Sequence, residues 1–394
     1  MSDSLASDCR QEYKPLFEFI RKAFPNEGVI PLHEPRFSAL DKQYVNEAID
    51  STFVSSVGAF VDRFERQIAE YTGAGYAVAA VNGTAALHLA LVLCDVQPGD
   101  EVITQALTFV ATGAAILYCR ASPVMVDVDK DSLGMSADAL RNWLENNARK
   151  EGGVAINQST GAVIKACVPV HVFGHPCGID QIRDICQEWG IKLVEDASES
   201  LGSFYKGRHT GTLGDMGVFS FNGNKVVTTG GGGVIVTNSE RLAKRAKFLS
   251  TTAKQPHPYE FFHPELGYNY RLPNLNAALG CAQLEQLEEF IEAKRDLAHA
   301  YRDFFNQAGM SVAFVEEPLE SRSNYWLNAI LVSSEKEKIA LLEAALMESV
   351  QMRPVWRLLH ELPMFDGCAH DGLTASIELS RRLVNLPSSV VRRR

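Results

Sequence analysis

From about residue 76 onward, short apolar runs alternate with stretches whose apolar positions recur every three or four residues. That alternation is the pattern of strands joined by helices. It predicts strands at 77–81, 101–104, 123–128, 163–172, 192–195, 218–221 and 234–237. Between them it predicts helices at 84–93, 109–119 and 179–189, with Ser136 capping a helix to 145 and Ser239 capping one to 249. Before residue 76 one element is legible. Tyr13, Leu16, Phe17, Phe19, Ile20 and Phe24 are spaced for one helical face over 11–25, and Pro25 stops it. After about residue 255 the rhythm changes. Prolines at 256, 258 and 264 mark irregular chain, a long helical stretch covers 274–307, and a mixed segment follows with 325–332 and 338–346. The division expected is an N-terminal helical extension over 1–30, a large α/β domain over 31–255 and a smaller α+β domain over 256–394. Strand–helix alternation of this kind requires a sheet covered by helices on both faces.

Composition narrows the class. Hydrophobic residues make up 46% and charged residues 22% of 394, the balance of a globular chain with a sizeable core. The formal net charge of −10 argues against a nucleic-acid partner, which needs a broad basic face. The single basic run, Arg392-Arg393-Arg394, reads as a solvated tail. Eight cysteines are scattered without Cys-x-x-Cys or Cys/His ligand spacing, so they read as reduced core residues and no metal site is expected. Met1-Ser2-Asp3-Ser4 has neither the basic nor the apolar region of a secretory signal. The most apolar stretch, near 109–117, is far short of the ~20 residues that span a bilayer. The expectation is a cytoplasmic chain with no membrane partner.

Four segments carry candidate chemistry. Lys225 lies between two apolar strands, just ahead of Gly230-Gly231-Gly232-Gly233. By itself this favours a surface lysine beside a flexible hairpin, since Gly-rich turns are common. A P-loop is excluded because its glycines precede the lysine, and a dinucleotide fingerprint is excluded because a strand follows the glycines. A lysine on rigid elements with close backbone packing suits Schiff-base chemistry. Asp196 ends the apolar run Leu193-Val194-Glu195, at the strand end where α/β sheets bind ligands. A carboxylate there keeps a pyridine nitrogen protonated. Asn82-Gly83-Thr84-Ala85 joins a strand to a helix. Gly83 permits close approach, and the free N–H groups of Thr84 and Ala85 make an anion site suited to phosphate; an ordinary helix cap is the equal alternative. Ser220 is a second phosphate donor, and Phe109 follows another strand where it can stack on a ring or pack in the core.

In this order the segments resemble a fold-type I pyridoxal phosphate aminotransferase, and the chain is similar to the DegT/DnrJ/EryC1/StrS family of sugar aminotransferases. The resemblance runs from Pro31-Leu32-His33-Glu34-Pro35 to Asn385-Leu386-Pro387-Ser388-Ser389. It includes Gly99-Asp100-Glu101-Val102-Ile103, Val170-His171-Val172-Phe173-Gly174, the segment from Gly214 to Phe221, and Gly267-Tyr268-Asn269-Tyr270-Arg271. Thr251-Thr252-Ala253-Lys254 and Arg353-Pro354-Val355-Trp356 resemble the branch acting on UDP-linked 4-keto-6-deoxy-N-acetylhexosamines in legionaminic acid and bacillosamine pathways.

The resemblance implies a central, mostly parallel seven-stranded sheet with a smaller α+β C-terminal domain. It implies pyridoxal phosphate cycling through the pyridoxamine form, with glutamate as amino donor to C4 of a nucleotide sugar in bacterial surface-sugar synthesis. Lys225 would form the Schiff base and shuttle the proton, Asp196 would hold the ring nitrogen, and Phe109 would stack on the ring. Glu199 would lie near the ring oxygen and the substrate. Gly83, Thr84, Ala85 and Ser220 would bind phosphate, joined by Asn269, with Arg271 as a further candidate, from a second subunit of a homodimer with shared sites. Trp356 and His360 are implied for the sugar-nucleotide pocket. Asn222 stands where the family commonly has His, and the extension before Pro31 lies outside the shared pattern. Two other functions compete: a sugar-remodelling enzyme on the same cofactor without net amination, and a non-catalytic regulator on the same fold. Retention of Lys225 disfavours the first; retention of lysine, aspartate and phosphate turn together disfavours the second.

Overall fold

A computed structural model describes residues 9–25 and 28–391; the first four residues and the terminal arginine run discussed above lie outside them. Three strands open the main sheet: β1 (Tyr76–Ala80), β2 (Glu101–Gln105) and β3 (Ser122–Val126). Then come β4 (Ala148–Glu151), β5 (Val154–Asn157), β6 (Val163–Val168) and β7 (Lys192–Asp196). Two short strands, β8 (Phe204–Tyr205) and β9 (Arg208–His209), precede β10 (Met216–Ser220) and β11 (Gly233–Thr237). The main path runs β1-β11-β10-β7-β6-β2-β3. These are the seven strands that the sequence pattern predicts, and the β4–β5 hairpin, which it does not, raises the sheet to nine by pairing with the start of β6. The pairings from β10 through β7, β6 and β2 to β3 are parallel, and β11 runs antiparallel between β10 and β1.

Strands β1, β2, β6, β7 and β10 therefore all end at one edge, and β11 begins there. That edge is where an α/β sheet leaves a crevice. The helix Gly83–Leu93 buries eight of its residues and packs on β1, β7, β10 and β11. An apolar surface all round, rather than one stripe, marks a helix enclosed on every side.

Several predicted elements are corrected. The strand expected over 163–172 stops at Val168, because Pro169 offers no N–H to a ladder. A single turn, Val172–Gly174, follows, with Phe173 held at φ 55°, ψ 12°. The strand expected to 128 stops at Val126. The long helix over 274–307 is two, Asn274–Leu284 and Leu287–Ala308, broken at Glu285-Gln286. Two helices went unread, Ala39–Asp50 and Ala59–Thr72. The first carries a capping box from Ser38 and Asp41, a sequence sign of a helix start. The helix over 11–25 forms as Lys14–Ala23, its apolar face buried against the last third of the chain through Tyr301, Leu341 and Val384.

Beyond residue 310 the chain builds β12 (Ala313–Phe314), β13 (Ser321–Arg322), β14 (Asn328–Leu331), β15 (Arg353–Pro354) and β16 (Leu383–Leu386). Strand β13 joins β8 and β9, and the other four form a separate antiparallel sheet. One apolar cluster ties this part to the main sheet, joining Phe219 and Phe221 to Trp326, Leu327 and Leu359. Among the described residues no helix is long and apolar enough to cross a membrane.

Candidate active site

At the shared strand edge lies a cavity of about 310 Å³. Gly83, Thr84, Phe109, Asp196, Glu199, Ser220 and Lys225 line it, contributed by chain segments more than a hundred residues apart. Each arrives where a strand ends or a helix begins.

The helix Gly83–Leu93 points its N-terminus into one end of this cavity. Its amides and its dipole favour an anion there. A Cβ on Gly83 would come within 2.9 Å of Ser220 Cβ, so only glycine lets the turn close on that serine. Ser198, which the sequence reading did not select, adds a second hydroxyl, its Oγ 3.6 Å from the same point. The Ala85 amide is already engaged, donating to Asn82 Oδ1 at 2.8 Å. Gly83, Thr84 and the two serines line the cavity, while Ala85 does not and its amide serves the cap. The glycine run has a defined purpose at its last member. A Cβ on Gly233 would lie 2.4 Å from Asn82 O and 2.8 Å from Gly83 N. Gly233→Ala is therefore expected to displace the turn and weaken cofactor binding at least tenfold, overpacking being worth about 1–3 kcal/mol. Titrating the apo variant with pyridoxal phosphate checks this, and wild-type affinity would contradict it.

Asp196 is buried, and its carboxylate is fixed from two sides. Thr112 Oγ1 donates to Oδ2 at 2.8 Å and the Ser198 N–H to Oδ1 at 3.2 Å. Thr108 Oγ1 lies 3.0 Å from Thr112 Oγ1, making a short hydroxyl chain behind the aspartate. Its neighbour Glu195 points the opposite way, as strand alternation requires. There it accepts from the Gly211, Leu213 and Gly214 N–H groups and contacts His171 Nε2 at 3.0 Å. His171 Nδ1 accepts the Cys177 N–H, so the ring proton sits on Nε2 and is donated to Glu195. Successive residues of one strand thus do different work: Glu195 fixes the 211–214 loop and His171, and Asp196 faces the cavity.

Lys225 Nζ enters the cavity between Glu199 Oε1, at 3.7 Å, and the ring of Trp326, at 3.8 Å from its centroid. Burial lowers the proton affinity of this amine, opposed by Glu199 and Asp196. Burial pushes the Glu199 carboxyl up to about 7, partly offset by Lys225 and by the Phe173 N–H that donates to Oε2 at 2.8 Å. Making that bond requires Phe173 to adopt its left-handed backbone, which costs a non-glycine residue roughly 1–2 kcal/mol. Glu199 thus faces into the cavity and away from solvent.

Phe109 caps the helix Val110–Tyr118 and stays 51% exposed, its ring free to cover a ligand; its edge contacts Trp356 at 6.2 Å between centroids. Trp356 lines the cavity but His360 does not; its ring pairs with His370 at 5.6 Å. Asn269 and Arg271 also lie outside the cavity of their own chain, with Arg271 Nε donating to Asn269 Oδ1 at 3.0 Å. Trp326, Thr108 and Thr112 were missed. Nothing near Trp326 in sequence marks it, whereas Thr108 and Thr112 flank the start of the helix Val110–Tyr118 four residues apart, close enough for their hydroxyls to meet. Among the described residues no group of three His, Cys, Asp or Glu side chains could hold a metal.

A lysine amine, a buried carboxylate, an exposed aromatic face and an anion cradle fit a phosphorylated pyridine aldehyde. The close Gly83–Ser220 contact fits its phosphate. Comparison with known proteins agrees. The DegT/DnrJ/EryC1/StrS aminotransferase family matches residues 35–391. EpsN of Bacillus subtilis (strain 168), named for a pyridoxal phosphate-dependent aminotransferase, is 38% identical over 364 residues, covering 91% of this chain and 90% of EpsN. GDP-perosamine synthase of Escherichia coli O157:H7 is 36% identical over 359 residues, covering 91% and 93%. The crystal structure of the aminotransferase TlmJ from Streptoalloteichus hindustanus superposes with a TM-score of 0.83 at 27% identity, covering 92% and 94%.

Proposed function

The chain belongs to the DegT/DnrJ/EryC1/StrS aminotransferase family, and from that premise we propose that it aminates C4 of a UDP-linked 4-keto-6-deoxy-N-acetylhexosamine with pyridoxal phosphate, taking the amino group from L-glutamate. The observation that carries the reading is the convergence of Lys225, Asp196 and the Gly83–Ser220 cradle on one cavity. When bound, the cofactor supplies an electrophilic carbon for the amine and a protonated ring that draws electrons from it. Lys225 provides the attachment point and, when free, the base that moves a proton at the reacting carbon. Asp196 holds the proton on the ring nitrogen, and Thr112 keeps that carboxylate aimed. Phe109 covers the ring and narrows water's access. The cavity is at the small end of ligand pockets, which run about 300–1,000 Å³, so the nucleotide must extend through the mouth past Phe109 and Trp356.

Because Asn269 and Arg271 do not reach their own cavity, the reading includes a homodimer in which each completes the other's phosphate site. It also includes a cytoplasmic setting, in keeping with eight cysteines that are all free thiols. The test is a panel of UDP-, dTDP- and GDP-linked 4-keto sugars with glutamate, read by mass spectrometry and NMR. Amination of a UDP-linked N-acetylhexosamine in preference to the others is expected. Preference for a GDP sugar without the acetamido group, as the name of the Escherichia coli relative would suggest, overturns the substrate assignment. A product that has lost water without gaining nitrogen overturns the amination itself.

A further inference from the structure

We propose that Glu199 and Trp326 form a holding site for the side-chain amine of Lys225 whenever it is free of the cofactor, and that Glu199 takes the proton that converts the ammonium to the nucleophilic amine. The proposal rests on the reading of Lys225 as the cofactor lysine. A free lysine in this cavity must satisfy opposite demands. It has to wait as a charged group in a largely enclosed site, then become neutral without calling on bulk water.

The geometry meets both. Trp326 presents its ring face 3.8 Å from Nζ, well inside the range of cation–π attraction. That ring is immobilised: Nε1 donates to Asn224 O at 2.6 Å, and the Trp326 N–H donates to Asn324 Oδ1 at 2.8 Å. Behind it the buried Lys294 ammonium donates to Trp326 O at 3.1 Å and to Ser388 O. Asn224 is also the residue before Lys225, so the indole fixes the lysine's own backbone. On the other side Glu199 is anchored through Oε2 by the Phe173 N–H, which leaves Oε1 turned to Nζ at 3.7 Å. A small rotation of the flexible lysine stem closes that gap to hydrogen-bond distance.

In the transfer, one N–H bond of the ammonium breaks and its electron pair stays on nitrogen. The proton joins Glu199 Oε1, and the pair remains neutral overall. The two groups shift in opposite directions, Glu199 up and Lys225 down, which brings their proton affinities closer together. Two further titratable groups face the pair. Asp196 acts on both, and His33 is held neutral by burial and by the charges of Lys294 and Lys225. Lys294 acts on the site through its contact with Trp326 O and through its charge on His33.

The test uses apoenzyme and acetic anhydride, with acetylation at Lys225 followed by peptide mass spectrometry between about pH 5 and pH 10, a range that brackets ordinary Glu and Lys titration. Wild type is expected to react in two steps separated by a plateau, because the pair keeps one shared proton between them. Glu199→Gln can still accept the Phe173 N–H and so retains its place. It is expected to show one step and no plateau. Trp326→Phe keeps the plateau, whereas Trp326→Leu loses the cation face and raises it about threefold or more. A single step in wild type, or a plateau that survives in E199Q, overturns the proton transfer. Equal profiles in W326F and W326L overturn the part given to Trp326. Borohydride reduction of the loaded enzyme with peptide mapping separates the underlying reading. Attachment at another lysine sinks that reading, while single-step labelling with attachment at Lys225 sinks only the holding site.

Discussion

Lys225→Ala is expected to abolish turnover and the near-visible absorbance band of a covalently held cofactor, leaving weak, non-covalent binding. No other amine on the cavity lining can replace it, since Lys225 is the only lysine there. Lys294, the other buried lysine of this region, spends its ammonium on the carbonyls of Trp326 and Ser388. The fold should survive the change. The buried Glu199 that loses its partner is already pushed up to about 7 by burial, so it takes a proton instead of standing as an unpaired buried charge. Thermal unfolding within a few degrees of wild type, alongside absent turnover and spectrum, is the result that supports the assignment. Near-normal turnover by the purified variant would remove it.

Asp196→Asn should come next in severity, lowering kcat by several orders of magnitude in a folded protein. The amide oxygen can still accept the Ser198 N–H while the amide NH2 donates to Thr112 Oγ1, whose hydroxyl turns to Thr108, so the site's shape is kept while the negative charge is lost. Without that charge the ring nitrogen no longer keeps its proton, and the electron sink weakens. Single-turnover kinetics with glutamate measure this directly. A fall of less than about tenfold, equivalent to ~1.4 kcal/mol of barrier, would mean that Asp196 is not the partner of that nitrogen.

How far the site was legible follows from which signals are local. Lys225, Asp196, Gly83 and Ser220 sit at strand ends, and strand ends are marked by apolar runs meeting turn residues. Glu199 was placed by its offset from Asp196, and the cavity contains it. For Ala85 the same Asn82-Gly83-Thr84 pattern specifies both a helix cap and an anion site, and in the structure its amide donates to Asn82 Oδ1. His360 rested on the family resemblance alone, and it lies in the single-turn segment Leu359–Glu361 outside the cavity lining. Trp326 was invisible because its role depends on how the last third of the chain docks on the sheet, a long-range packing fact with no periodicity of its own. The helix Ala39–Asp50 was missed because its apolar stripe is short and its Ser38–Asp41 cap is the stronger sign, whereas Ala59–Thr72 carries a regular stripe of Val61, Phe64 and Ile68 ended by Gly73 and was legible in the sequence.

Strand β1 has a single sheet neighbour, β11, which follows it by more than 150 residues. During synthesis, then, the phosphate turn at its end emerges early and stays without its neighbour until residue 237 has left the ribosome. At roughly 5–20 residues per second that is a delay of about ten to thirty seconds. Through that interval the nascent chain has an anion-binding helix start but no Gly233 backbone to press it into shape and no Ser220 beside it. The cavity's parts are therefore complete only after β11 has been made, and its first and last contributors are far apart in the order of synthesis.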